Sequence, residues 1–441
     1  MKTPIVDFVK EYAEKDFSRF HMPGHKGKSF LGCEKYDITE VLGADVLSNA
    51  EGIIDESEKN ASLLFNTAHT YYTTEGSTSA ICGMLALVKG EKPLILAARN
   101  VHKAFIHACA LLDYNVEWLM PENFSTVLKC EITAKTVEEK LSLIYKKCAA
   151  VYLTSPDYLG NIQNIPEIAT VCKRYNVPLL VDNAHGAYLG FLENSLHPIH
   201  LGATACCDSG HKTLPVLTGG AYLHISKDAP YEFVSNARKS LSLFTSTSPS
   251  YLIMQSMDLC NRYLANEFRG ELANCIKKLG CLKELIKESG FSVLDSEPLK
   301  LTVDAAASGY TGEDLAEILR QNNAEPEFYD NSFIVLMITP QNADRDFEVL
   351  KDIFATLKPR KPKPEQSLII DYPKIKLSVR DAVFSDYETV DVSSSVGRIC
   401  ATPFVSCPPA IPIAISGEEI TEKTMQLFRM YGIDRIDVVK E

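Results

Sequence analysis

A chain of 441 residues, 46% hydrophobic and 23% charged, has material for two or three domains with sizeable cores. Its formal net charge of -12 argues against nucleic acid or an anionic membrane surface as the main partner. No apolar run approaches the ~20 residues a bilayer span needs. The first residues, MKTPIVDFVKEYAEKDF, hold no signal-peptide core, and the 13 cysteines show neither C-x-x-C pairs nor regular spacing, so a cytoplasmic protein with free thiols is expected.

Residues 1–45 mix turn signals with short apolar stretches and are expected to form an arm before a large domain at 46–258. Within that domain, short apolar runs at 93–97, 116–120, 149–154, 178–181, 203–207 and 221–225 alternate with helical patterns. The clearest helix covers 165–175, where Ile165, Ile168, Ala169 and Cys172 share a face. Non-alternating strands interleaved with helices predict an α/β domain with a mostly parallel sheet covered on both sides. From 259 to 357 the order becomes helix, strand, helix, strands, helix, which predicts a smaller α+β domain. There Thr311 and Asp314 stand where they can cap a helix carrying Leu315, Ile318 and Leu319. KPRKPKPEQ (358–366) reads as an exposed linker, and 367–441 as a C-terminal domain.

Three segments of the large domain carry the residues best suited to chemistry. In TTEGSTSAICGMLALV, Gly76, Ser77 and Thr78 precede an apolar helix, so backbone N–H groups and two hydroxyls gather at its positive end. Such an end holds a phosphate, although an ordinary Ser/Thr helix cap would look the same. In VPLLVDNAHGAYLGF, Asp182 ends an apolar strand. A carboxylate at a strand's C-terminal end lies where open α/β sheets bind ligands, and it can keep a pyridine nitrogen protonated. The alternative is an Asp bonded to nearby backbone. In ATACCDSGHKTLPVLTGGAYLHI, Lys212 follows a strand and precedes a turn, with Ser209 and His211 within reach of the same phosphate. A lysine turned inward there forms imines readily, and an exposed loop lysine is the alternative.

No metal site is expected among the ten histidines. His21 and His25 are separated by Pro23 and Gly24 and cannot share a helix face, while His197 and His200 flank Pro198 without an acidic or Cys partner at ligand spacing. No G-x-G-x-x-G or Walker A pattern competes for the phosphate site.

Phosphate cradle, acidic strand end and reactive lysine stand in the chain order used by pyridoxal-phosphate enzymes of the aspartate-aminotransferase fold. The sequence further resembles the bacterial ornithine/lysine/arginine decarboxylases of fold type I, in their short form without the N-terminal wing domain. RFHMPGHKG (19–27), DITE (37–40), EGII (51–54), TEGSTSA, ARNVHKAF, LTSPDYLGN (153–161), VDNAHGAYL, CDSGHKTLPVLTGGAYLH, FTSTSPSY (244–251) and GRICATPFVSCPPAIPIAISGEE (397–419) carry the resemblance in family order.

The resemblance implies a large domain with a seven-stranded sheet and a Schiff base between pyridoxal 5'-phosphate and Lys212. Asp182 would face the pyridinium nitrogen, His102 would stack on the ring's open face and Ala184 would pack beneath it. Gly76, Ser77, Thr78, Ser209 and His211 would bind the phosphate, with His185 in the same pocket, and Glu327 would meet the distal cation of the substrate. The implied reaction is α-decarboxylation of lysine, arginine or ornithine to the amine and CO2, feeding polyamine synthesis. The implied assembly is a homodimer or larger homo-oligomer with shared active sites, 244–251 contributing at the interface. Asn183, where the family more often has Ser or Glu, and Ala410, where it usually has Gly, depart from the pattern. An aminotransferase or aldolase on the same scaffold is the alternative chemistry, although Arg320 and Arg345 stand in no recognisable carboxylate-clamp motif. A catalytically silent cofactor-binding protein is the other alternative.

Overall fold

The computed structural model describes residues 1–15, 17–121, 126–364, 374–403 and 411–441. Two compact units are formed, one by Met1–Lys89 with Ile165–Glu271 and one by Gly90–Asn164 with Leu272–Glu441. In the first, helix α1 (Pro4–Glu14) has Pro at its start and buries Ile5, Val6 and Val9. Its first amides, of Ile5 and Val6, donate to Oδ2 of the distant Asp258 at 3.0 and 3.1 Å, which satisfies donors that a helix start leaves open.

Helix α2 (Ile53–Leu64) is followed by β1 (His69–Thr73) and α3 (Gly76–Leu87). The second unit then supplies β2 (Leu94–Ala98), α4 (Lys103–Leu112), β3 (Asn115–Leu119), α5 (Ala134–Ile144) and β4 (Cys148–Thr154). The first unit resumes with α6 (Ile165–Arg174), β5 (Leu179–Asp182), β6 (Ala205–Asp208), the single turn α7 (Gly210–Thr213), β7 (Ala221–Ile225), α8 (Tyr231–Ser242) and α9 (Tyr251–Asn266). Seven strands line up as β1-β7-β6-β5-β4-β2-β3. Pairings β2/β3, β2/β4 and β5/β6 are parallel, and β7 runs antiparallel to both β1 and β6. All six apolar runs became strands of this sheet, and the helix expected at 165–175 is α6. The strand β1 escapes a search for aliphatic runs because its sequence is HTYYT, yet four of its five residues are buried.

Helix α10 (Phe268–Glu288) leads to β8 (Ser292–Val293), β9 (Lys300–Asp304), α11 (Gly312–Gln321), β10 (Phe328–Tyr329), β11 (Phe333–Met337) and α12 (Asp344–Thr356). The four strands pair antiparallel in the order β10-β11-β9-β8, the α+β arrangement expected for this stretch. The capping box of α11 is present: the Asp314 amide donates to Thr311 Oγ1 at 3.0 Å, and the Thr311 amide donates to Asp314 Oδ2 at 2.8 Å. Thr311→Ala is therefore expected to cost about 1 kcal/mol of stability, read as a lower urea midpoint at unchanged slope. A midpoint equal to that of the parent would show that this cap contributes nothing.

Helix α13 (Val379–Phe384), β12 (Tyr387–Asp391), α14 (Glu422–Met430) and β13 (Arg435–Val439) close the chain, with β12 and β13 forming an antiparallel ribbon. Val392, Cys400, Ile420, Phe428, Ile436 and Val438 fill its small core. A buried ion pair, Arg99 Nη2 to Glu418 Oε2 at 2.9 Å, ties this lobe to the segment after β2, with the Arg99 guanidinium lying over Trp118. The last residues of the expected linker, the start of the expected C-terminal domain and Ala410 lie outside the described residues. Among the described residues the cysteines are free thiols, most of them buried, and no helix is long and apolar enough to cross a membrane.

Candidate active site

Strand directions bring the three singled-out segments to one edge of the sheet. β5 ends at Asp182, which is in parallel register with Cys207 of β6. β6 ends at Asp208, and the chain passes through Ser209 into α7 with Lys212. Because β7 is antiparallel, Tyr222 lies opposite Asp208, and Ala221 lies opposite Thr73 of β1. The turn before β7 and the entry to α3 therefore meet at the edge where Asp182 and Lys212 emerge, the edge where such sheets bind ligands.

The entry to α3 is built by backbone. Gly76 adopts φ +75 and its N–H donates to the Gly219 carbonyl at 2.7 Å. Gly219 itself has φ +101, and a Cβ there would lie 2.6 Å from the Thr74 carbonyl oxygen, so only glycine permits this approach. Glu75 precedes the helix without capping it: its carboxylate accepts from Thr74 Oγ1 (2.9 Å), Thr73 Oγ1 (3.1 Å) and the Ser246 amide (3.3 Å). The first-turn amides of α3 thus keep the character of an anion site. Ser77 is half-buried and Thr78 exposed there, and Ser209 Oγ donates to Ser77 Oγ at 2.8 Å, joining the α3 entry to the segment before Lys212.

Lys212 Nζ lies 3.1 Å from His185 Nε2. Asp182 is only 3% exposed, and its Oδ1 accepts from the Ala184 amide at 3.1 Å and from the Cys207 thiol at 3.6 Å. Burial, and after it the Asp182 charge, push the Cys207 thiol well above its ordinary range, so it remains a neutral donor. His211 Nδ1 faces the Gly220 carbonyl at 3.0 Å and so carries the proton. Burial and the nearby Lys212 charge lower the His211 pKa, which leaves Nε2 an acceptor until the ring takes up a second proton.

Sequence spacing offers His197 no acidic partner, and the structure brings one from eleven positions away. The His197 Nε2 lies 3.0 Å from Asp208 Oδ2, which also meets His224 Nε2 at 3.1 Å, while Asn183 Nδ2 donates to Asp208 Oδ1 at 2.7 Å. Burial raises the Asp208 pKa, but the two imidazoles outweigh it and hold the carboxyl well below the ordinary range. His197, Asp208 and His224 bring three potential metal-ligand atoms together, at separations of hydrogen-bond length. Asn183 is committed to holding Asp208. In the other such group, Asp55, Glu58 and His69, Glu58 is already paired with Arg238. The links through Glu75, Gly219 and Asp208 carried no sequence signal, since each joins segments far apart in the chain.

His102 and Glu327 belong to the second unit. His102 caps α4, its Nδ1 accepting from the Ala104 amide at 3.1 Å. Glu327 Oε1 accepts the Tyr158 hydroxyl at 2.6 Å. Arg320 is engaged by Glu325 at 2.7 and 2.9 Å, and Arg345 is exposed beside Asp346, so neither is arranged as a carboxylate clamp.

These residues fit pyridoxal phosphate: an open helix start with hydroxyls for the phosphate, a buried carboxylate for the ring nitrogen, and an amine for the aldehyde. The fold is that of the fold type I pyridoxal-phosphate enzymes, and the site residues are compatible with that cofactor. The chain belongs to the Orn/Lys/Arg decarboxylase family, whose major domain matches residues 3–300 and whose C-terminal domain matches residues 371–432. It is 29% identical to an arginine decarboxylase of Halalkalibacterium halodurans, over 97% of this chain and 93% of that one. An arginine decarboxylase of Bacillus subtilis is 28% identical over 96% of this chain and 92% of its own. The constitutive lysine decarboxylase of Escherichia coli is 27% identical over 58% of this chain and 39% of its own. Among solved structures, lysine decarboxylase A from Pseudomonas aeruginosa superposes with a TM-score of 0.82 at 16% identity, covering 99% of this chain and 80% of that one. That likeness shows the fold. The protein is thus an amino-acid decarboxylase.

Proposed function

We propose that this enzyme removes the α-carboxylate of a basic amino acid, releasing CO2 and the corresponding amine, with arginine as the first candidate substrate. The observation that carries the reading is the gathering of Lys212, Asp182 and the α3 entry at one sheet edge. Arginine is favoured because the arginine decarboxylases match over nearly the whole chain, whereas the Escherichia coli lysine decarboxylase matches over 58% of it.

Pyridoxal phosphate, when bound, supplies a ring that accepts the electron pair left by the departing carboxylate. Lys212 would hold it through Nζ, and Asp182, shielded from water, would keep the ring nitrogen protonated. Ser77, Thr78, Ser209, His211 and the α3 amides would hold the phosphate. Ala184 and His102 would bound the two ring faces. Lys212 Nζ, with His185 Nε2 beside it, would deliver the proton to the carbon that loses CO2. Glu327 would receive the substrate's distal cation. The homodimer, with 244–251 at its interface, rests on the family resemblance.

The test is a panel of arginine, lysine, ornithine and diaminopimelate scored for CO2 and amine. One of them should give both in equal amounts with no keto acid, and accumulation of keto acid would overturn the reading. Glu327→Gln should raise KM for the cationic substrate about tenfold while changing kcat much less.

A further inference from the structure

We propose that Tyr158 is a positioning residue for substrate selection, fixing the Glu327 carboxylate so that one oxygen stays available to a cation. The inference rests on the reading of Glu327 as the group that meets the substrate's distal end. At 2.6 Å, the Tyr158 hydroxyl donates a well-formed hydrogen bond to Glu327 Oε1. A glutamate at an exposed position otherwise samples many rotamers, and a substrate that has to order it gives up affinity for that entropy. A phenol is a suitable restraint because it donates one hydrogen bond and brings no charge, so the carboxylate keeps its attraction for an ammonium or guanidinium group.

Tyr158 is itself held firmly. Its ring is buried, lies edge-on to Phe328 at 5.2 Å and has the Lys300 ammonium 5.9 Å from its centre. The turn that carries it is pinned on both sides. Asp157 Oδ1 accepts the Leu159 and Asn161 amides at 3.0 Å each, and the fully buried Lys300 donates to the Asp157 carbonyl at 3.2 Å. Thr302 Oγ1 donates to the Leu159 carbonyl at 2.9 Å, and the Glu297 amide to the Gly160 carbonyl at 2.8 Å. Gly160 takes φ +95 so close to Ser296 that a Cβ there would lie 2.8 Å from the Ser296 Cβ. A buried scaffold of this kind places the hydroxyl without help from a ligand.

The surroundings of Glu327 match the role. It borders a concavity of about 510 Å3 whose walls include Pro326, Leu336, Ile338 and Leu350. Other parts of the wall are polar, with Asn323, Asn342, Glu325 and Asp346, and an apolar strip beside a carboxylate suits an alkyl chain that ends in a cation. The other two acids at this concavity are committed, Glu325 to Arg320 and Asp346 to the Ala343 amide that opens α12.

Steady-state kinetics of the cofactor-loaded enzyme with arginine, lysine and ornithine, and with norleucine as a neutral isostere, test the inference. Tyr158→Phe should raise KM for the cationic substrate about fivefold, lower kcat by less than about twofold and leave the KM for norleucine unchanged. Added to Glu327→Gln, it should raise KM no further, since the two groups act as one. Glu327→Asp keeps the charge but is too short to hold the same bond, so it should reproduce the Tyr158→Phe pattern even if the phenylalanine variant folds poorly. A KM rise in Glu327→Gln with none in Tyr158→Phe or Glu327→Asp would overturn the Tyr158 inference and leave the Glu327 reading standing. Equal loss on norleucine and the cationic substrates would also overturn it, as the mark of a merely structural residue. If Glu327→Gln changes no KM, the Glu327 reading falls and the inference with it.

Discussion

Lys212→Ala is expected to lose the visible absorbance of enzyme-bound pyridoxal phosphate and to cut turnover by at least about 10,000-fold. Lys212 sits on the one-turn helix α7, and its amine is 3.1 Å from His185 Nε2 at the sheet edge that also carries Asp182. On the proposed mechanism, its removal would take away both the covalent hold on the cofactor and a proton carrier. The helix itself should persist, because the Leu214 amide still bonds to the Gly210 carbonyl and the Gly76–Gly219 link is made by backbone. The far-ultraviolet circular dichroism of the variant should therefore match the parent, separating lost chemistry from lost fold. A variant that kept the absorbance would mean that another lysine carries the cofactor, and the assignment would fail.

Asp182→Asn is expected to keep the cofactor and the fold but to lower kcat about 100- to 1,000-fold. The native Oδ1 accepts the Ala184 amide and the Cys207 thiol. An asparagine oxygen can accept both, so the strand end should retain its shape. What disappears is a negative charge at a position only 3% exposed, where solvent screens it little. A neutral amide does not hold a ring nitrogen in its protonated form, and the ring then accepts electrons poorly. Absorbance at the cofactor band with a collapsed kcat would support the role. A kcat within about tenfold of the parent would remove Asp182 from the mechanism.

Much of this site is legible in the sequence because its parts are local. Asp182 ends a run of buried aliphatic residues, and the structure places it at the end of β5, as that run implies. Gly76 to Thr78 stand at the foot of an apolar helix, and Thr311 with Asp314 spell a capping box that the structure contains. Lys212 is less legible by itself, and gains meaning from its place after Asp182 and from the resemblance of the surrounding motif. His197 shows the limit of spacing arguments. Its acidic partner is eleven positions away, at the end of β6, and no local pattern announces it.

The sequence by itself determined which residues could do chemistry, the order in which they occur, and the strands and helices that carry them. Those properties depend on short-range periodicity, turn preference and capping, which a few neighbouring residues settle. Only the tertiary structure decided which of them meet. Ser77 and Ser209, Tyr158 and Glu327, and Gly76 and Gly219 are joined because β1 is laid against β7 and the turn at Tyr158 against β9 and β10. Such pairings are long-range: they depend on loop closure and on the packing of the whole core, so local sequence does not encode them. Lys212 was visible in the chain, while the groups that surround it are set by the sheet.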